Sequence, residues 1–260
     1  AMLNIPIIIH EQIFGAGLAN KIAARFAQKI CISWEDSRKF FSKEKVVLTG
    51  NPLRKEFFQS VIAAPRNDEK VISITGGSSG SHAINVLIEG CLQKLLEKYT
   101  VIHQTGDAKK FGDFDRLEKL KAALSPSLQK KYRLTKFVDS TEVLSILSKA
   151  HLVVSRSGIN TVTELLALGK PSLFIPFPYG QHNEQLINAM FVKKIGLAEV
   201  AEEVTLTPDK LYILIDTVLQ NIEKYQRNST QAKRLINSES TQKIISLISY
   251  VNEQKKIKKS

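Results

Sequence analysis

Cysteine is scarce: the 260 residues hold two, Cys31 and Cys91. Two cysteines make no disulfide framework. Both lie among apolar neighbours, so they are read as small core residues of a protein in a reducing compartment. The five histidines are scattered without metal-ligand spacing, and no metal is expected. Long apolar runs are also missing, since none approaches the ~18–20 residues of a membrane-spanning helix. No targeting segment is recognised. Aromatic residues make up 7% and do not interleave with the basic ones, which argues against a nucleic-acid module. Acid is in deficit, with 25 Asp and Glu against 37 Lys and Arg, a net charge of +12. That excess steers the protein toward anions: nucleic acid, an acidic membrane face or a phosphorylated substrate.

What is present reads as an ordinary globular chain of one to two domains, with 43% hydrophobic and 24% charged residues. Candidate strands cover residues 5–9, 29–33, 45–48, 70–75, 100–104, 133–138, 151–155 and 171–175. Most are continuous apolar runs, as in a parallel sheet covered on both faces. Helical patterns lie between them. In 83–98, Ile84, Leu87, Ile88, Cys91, Leu92 and Leu95 share one face. Thr207-Pro208 caps a helix running to about residue 222. Repeated βα units predict a doubly wound α/β domain. A boundary is expected in the turn-rich stretch 50–68. The basic tail, with Lys255, Lys256, Lys258 and Lys259, is either a fraying end or a contact for an anionic membrane or partner. A buried strand so near residue 1 needs neighbours, so the chain is read as the later part of a longer protein.

Four stretches carry chemistry. After the strand at 71–75, Gly76-Gly77-Ser78-Ser79-Gly80-Ser81 turns into a helix. Backbone N–H groups and the helix dipole converge there, and glycine lets a phosphate approach closely. The turn is neither a Walker A loop nor Gly-x-Gly-x-x-Gly, and a tight turn without ligand is the alternative. Next, Ser155-Arg156-Ser157-Gly158-Ile159-Asn160-Thr161 is a second strand-to-helix turn, with Glu164 one turn into the helix. Glu164 either accepts the two ribose hydroxyls or is a solvated helix residue. Third, Pro176-Phe177-Pro178 leads to Glu184-Gln185, able to bond sugar hydroxyls. Fourth, His10-Glu11-Gln12 follows the first strand. Asp113-x-Asp115 looks like a metal motif, but it follows Lys110-Phe111-Gly112 and not a buried strand.

These stretches occur together and in order with Gly17-Leu18-Ala19-Asn20, Thr49-Gly50-Asn51-Pro52-Leu53-Arg54, Glu164-Leu165-x-Ala167-x-Gly169-Lys170-Pro171 and Gln185-x-x-Asn188-Ala189. The set resembles the MurG-like peptidoglycan glycosyltransferases, whose fold pairs two Rossmann-like domains (GT-B). The resemblance runs from about residue 5 to 217. It implies transfer of N-acetylglucosamine from UDP-N-acetylglucosamine to lipid I, giving lipid II with inversion. It implies work at the cytoplasmic face of the bacterial membrane, with no cofactor beyond the donor substrate. Glu164 then matches the ribose-binding glutamate, and Arg54, Gly77 and Ser78 the diphosphate contacts. Phe137 and Val138, with Ser157, Gly158, Ile159, Asn160 and Thr161, match the segments holding uracil and the adjoining phosphate. Glu184 and Gln185 read the sugar, and His10 and Glu11 lie on the acceptor side.

The chain departs from the pattern at Ile13, where relatives carry Asn, and at Glu184. By the same likeness residues 1–55 close the acceptor domain, 56–235 form the UDP-sugar domain, and 236–260 are a C-terminal helix and tail. The catalytic base is expected outside this chain, in a preceding segment or a separate subunit. Other readings are another GT-B lipid glycosyltransferase, a sugar-nucleotide epimerase, or a nucleotide-binding subunit inert without a partner.

Overall fold

The computed structural model describes residues 5–59, 70–77, 79–107, 110–180 and 183–257. The chain divides into two compact units, Ala1–Phe58 with Arg234–Ser260, and Gln59–Lys233. Residues 60–68 of the expected boundary stretch lie outside the described residues, as do Lys258 and Lys259 of the tail. No described helix is long and apolar enough to cross a membrane.

The first unit carries strand β1 (Ile8–Glu11), helix α1 (Leu18–Ala23), strand β2 (Lys29–Ile32), a 3-10 turn (Glu35–Phe40) and strand β3 (Val46–Leu48). Helix α2 (Glu56–Gln59) lies where the sequence passes to the second unit. The strands are parallel in the order β1-β2-β3, with Ile30 opposite Ile9 and Val46. Ala27, Ile30, Ile32 and Val46 form the core, and Cys31 is fully buried. β1 starts later than the apolar run 5–9, because its partner β2 begins at Lys29, opposite Ile8. His10 and Glu11 therefore end the strand and do not follow it.

The last helix, Ser240–Ile257, belongs to this first unit and is not a separate segment. Gly50 sits at φ +85°, and a Cβ there would lie 2.4 Å from Ser240 Oγ. Asn237 donates to the Thr49 carbonyl at 3.3 Å. A bare glycine turn thus receives the start of the helix, so the chain returns to where it began.

In the second unit the order is β4 (Val71–Thr75), α3 (His82–Lys98), β5 (Thr100–Gln104), α4 (Asp113–Ala123), α5 (Pro126–Lys130) and β6 (Tyr132–Thr135). Then come α6 (Ser140–Lys149), β7 (Leu152–Ser155), α7 (Ile159–Leu168), β8 (Ser172–Phe174), α8 (Glu184–Ile195) and β9 (Ala198–Val200). A 3-10 turn (Glu203–Thr205), α9 (Pro208–Gln220), α10 (Ile222–Gln226) and α11 (Ser229–Arg234) complete it. All neighbouring strands are parallel, in the order β6-β5-β4-β7-β8-β9. The chain winds outward from β4 in one direction, then returns to β4 and winds the other way. Every predicted face residue of α3 is buried, Cys91 included, and burial pushes the Cys91 thiol up to about 12. β9 escapes sequence reading because it is a three-residue edge strand with a charged centre, Glu199. β6 stops at Thr135, short of the expected 138, because the Thr135 hydroxyl donates to the Phe137 carbonyl at 2.6 Å and bends the chain.

Beneath the sheet edge lies a buried polar chain. His103 is fully buried, with Nε2 3.0 Å from Asn85 Oδ1 and Nδ1 3.0 Å from the Tyr132 hydroxyl. Asn85 gives both amide protons away, to the Thr105 carbonyl and to Asp113 Oδ2. Its Oδ1 must then accept from His103 Nε2–H, which leaves Nδ1 to accept from Tyr132. The neutral imidazole is satisfied, and burial pulls its pKa down to about 3 from 6.5. Because the folded value lies below the unfolded one, only the unfolded chain takes up this proton between those limits. Stability is fully present above pH 6.5 and is lost as pH falls, by up to roughly 1.4 kcal/mol per pH unit from this group. Urea unfolding at pH 5 and 7 is expected to show a larger acid loss for wild type than for His103→Gln. Identical losses in the two proteins would refute the assignment.

Candidate functional site

In an open parallel sheet, ligands bind outside the carboxyl ends of the strands, where the winding reverses. Here that point lies between β4 and β7. The two turns singled out by sequence flank it, and each opens a helix.

After β4, the Gly77 N–H donates to the Thr75 hydroxyl at 3.1 Å, and the Gly80 N–H to the Gly77 carbonyl at 3.1 Å. Gly77 sits at φ +85°, and a Cβ there would meet no heavy atom within 4 Å among the described residues. Gly80 sits at φ +75°, and its Cβ would lie 2.0 Å from the Thr105 carbonyl oxygen. One glycine therefore faces open space and the other is jammed against the loop after β5. Ser81 caps α3 by accepting the Ile84 N–H at 3.4 Å. The 17-residue α3 presents the positive end of its dipole beside Gly77. Ser78 lies outside the described residues.

After β7, the turn is tied to the loop that follows β8. Buried Ser157 donates from its hydroxyl to the Gln185 carbonyl at 2.7 Å, and Asn188 donates to the Ser157 carbonyl at 3.0 Å. The Gln185 side-chain oxygen accepts the Phe177 N–H at 3.0 Å. Gly158 caps α7; the Ile159 side chain is in the core, Asn160 is exposed and Thr161 half-buried. Glu164 is half-buried in the second turn of α7. Glu184 opens α8 directly after Asn183, whose φ of +54° is the left-handed region that asparagine tolerates. Beyond β6, at the same sheet edge, Phe137 is 57% exposed and Val138 half-buried. Sequence reading assigned no role to Arg156, which touches several of these loops. Its only signal was its place between a strand end and Ser157-Gly158.

The remaining candidates lie in the first unit. His10 Nε2 is 3.0 Å from the Ser33 hydroxyl and 3.2 Å from the Gly50 carbonyl. Burial lowers its pKa, against the opposing pull of the Gly50 carbonyl and Glu11. Glu11 corrects the expectation of an acceptor-side contact. It is 3% exposed, and its carboxylate accepts the Gly17 N–H at 2.8 Å, the Ile13 N–H at 3.2 Å and the Asn20 amide at 3.0 Å. It closes the loop between β1 and α1. Arg54 lies in the same unit, its guanidinium 5.1 Å from the Phe57 ring centre. Asp113 is bonded by His82 at 2.7 Å, Asn85 at 2.8 Å and Arg116 at 2.8 Å, so it serves the buried network.

Residues 71–248 match the family described as glycosyltransferase family 28 C-terminal domain. A protein of Caldicellulosiruptor saccharolyticus named UDP-N-acetylglucosamine--N-acetylmuramyl-(pentapeptide) pyrophosphoryl-undecaprenol N-acetylglucosamine transferase is 34% identical over 255 residues. The match covers 93% of this chain and 65% of that protein. The crystal structure of Acinetobacter baumannii MurG superposes with a TM-score of 0.73 at 28% identity, covering 96% of this chain and 68% of its own. The UDP-GlcNAc 2-epimerase from Neisseria meningitidis, solved with UDP-GlcNAc bound, shares the fold at a TM-score of 0.61 and 15% identity, over 88% of this chain and 63% of its own. This chain thus spans about two thirds of the length of the relatives it matches.

Proposed function

This chain belongs to the MurG group of glycosyltransferase family 28 and has the GT-B type of fold, and from that premise we propose that its second unit binds the nucleotide of UDP-N-acetylglucosamine. The whole protein would then transfer the N-acetylglucosamine to a lipid-linked muramoyl acceptor, lipid I, forming lipid II. The observation that carries this reading is the point between β4 and β7 where the winding reverses. There Gly77 offers an uncovered backbone surface beside the α3 N-terminus, and α7 opens next to it with Glu164 one turn in.

Inverting transfer needs a base for the acceptor hydroxyl and a cradle for the leaving diphosphate. The Gly77 turn, with Ser78, is that cradle in this reading. A bond-breaking step at the sugar carbon throws charge onto the β-phosphate, where backbone N–H groups and the helix dipole stabilise it without reorganising. Glu164 accepts the ribose hydroxyls, Phe137 and Val138 hold uracil, and Glu184 with Gln185 reads the sugar. The Asn183 conformation and the Gln185–Phe177 bond would fix that last pair. Arg54 is retained as a diphosphate contact on family likeness, and no residue described here is assigned as the base. No cofactor or metal beyond the donor is called for. A lipid-linked acceptor puts the protein at the inner membrane face, where a net charge of +12 favours anionic lipid.

Calorimetry with UDP, UDP-N-acetylglucosamine and uridine tests the donor site, and product analysis with lipid I tests the transfer. UDP is expected to bind more tightly than uridine, because the anion turn acts only on the phosphates. Equal affinities, or none, would overturn the reading.

A further inference from the structure

We infer that Arg156 is a positioning residue that couples the phosphate turn to the sugar-side loop, and that Glu203, in the turn after β9, sets it. The inference rests on the nucleotide reading above.

Arg156 stands between β7 and α7, and its side chain is 11% exposed. One guanidinium nitrogen donates to the Ile175 carbonyl at 2.9 Å, just past β8. The other donates to the Ser81 hydroxyl at 2.7 Å, at the cap of α3, and pairs with the Glu203 carboxylate. The guanidinium also lies 5.5 Å from the Phe177 ring centre. The planar fork thus reaches the segments following β4, β8 and β9 from the turn after β7. Lysine, a single point donor, cannot span such a set.

The ion pair with Glu203 also says what Arg156 is not. Its charge is already balanced at close range, so it is not a bare countercharge waiting for the diphosphate. Its action runs through Ser81. That oxygen accepts from Arg156 and from the Ile84 N–H. A hydroxyl has two acceptor lone pairs and one proton. With both lone pairs engaged, the proton is the remaining function, and among the described residues it meets no acceptor. Ser81 is thereby fixed as a donor at the end of the anion turn, where α3 begins. On the other side, Phe177 is bonded through its N–H to Gln185, one of the sugar-reading pair. A shift of Arg156 would therefore disturb the hydrogen bonding of the phosphate turn and the placing of Gln185 together.

The test uses the full chain as wild type, Arg156→Lys, Glu203→Gln, Ser81→Ala and the double variant Arg156→Lys with Ser81→Ala. UDP and uridine affinities are measured by calorimetry and melting by calorimetric scan. Arg156→Lys and Glu203→Gln are each expected to weaken UDP about tenfold, the scale of one charge-assisted hydrogen bond. Uridine should be unchanged. The double variant should lose less than the product of the two single losses, since both act on one hydroxyl. Unchanged UDP affinity, equal losses for UDP and uridine, or lowered melting alone would reduce Arg156 to a purely structural tie and overturn the inference. If Arg156→Lys fails to fold, Glu203→Gln decides by the same criteria. Wild type that binds no UDP defeats the nucleotide reading and this inference with it; wild type that binds while the variants match it defeats the inference alone.

Discussion

Gly80→Ala is expected to lower the melting temperature of the second unit by roughly 6–12 °C, the equivalent of about 3 kcal/mol at this size. Two costs add. Alanine at φ +75° meets the left-handed penalty of roughly 1–2 kcal/mol, and overpacking costs roughly 1–3 kcal/mol. The second cost cannot relax cheaply, because the collision is with backbone: the Thr105 oxygen at 2.0 Å and the Gly106 Cα at 2.8 Å. Gly77→Ala is the control. It carries similar strain at φ +85° but meets no atom of the described residues within 4 Å. It should lose only a few degrees, yet its methyl group enters the space assigned to the phosphates, so UDP binding should fall more than stability. Thermal scans and UDP titrations of both variants check this. A Gly77→Ala protein that binds UDP as wild type does would show that the anion does not sit over Gly77.

Glu164→Ala is expected to weaken UDP binding roughly 10- to 150-fold, or about 1.5–3 kcal/mol, the range for a hydrogen bond to a charged group. The residue is half-buried one turn into α7, beside the point where the winding reverses. 2′-Deoxy-UDP isolates the contact. Wild type should bind it less tightly than UDP, and Glu164→Ala should narrow that gap. Equal losses for both nucleotides in the variant would mean that Glu164 does not touch the 2′-hydroxyl.

Local pattern and tertiary contact divide the candidate residues, and the difference is physical. Gly77, Gly80 and Ser81 act through backbone conformation and helix capping, which depend on neighbours a few residues away. Glu11 was expected just past a strand and in fact ends it, and a carboxylate near a sheet edge can face a ligand or turn inward. Three donors from the following loop and helix turn it inward.

The sequence alone determined the parallel strands, the helices between them, the α/β class and the two glycine-bearing turns. Each rests on local patterns: continuous apolar runs, helical spacing, and glycine before a helix cap. Tertiary structure decided the strand order that brings those turns together, the three-residue β9, and the return of the last helix to Gly50. It alone joined Arg156 to Ser81, 75 residues earlier, and to Glu203. A long side chain's partners are set by which loops the sheet places around it, and no local pattern records that.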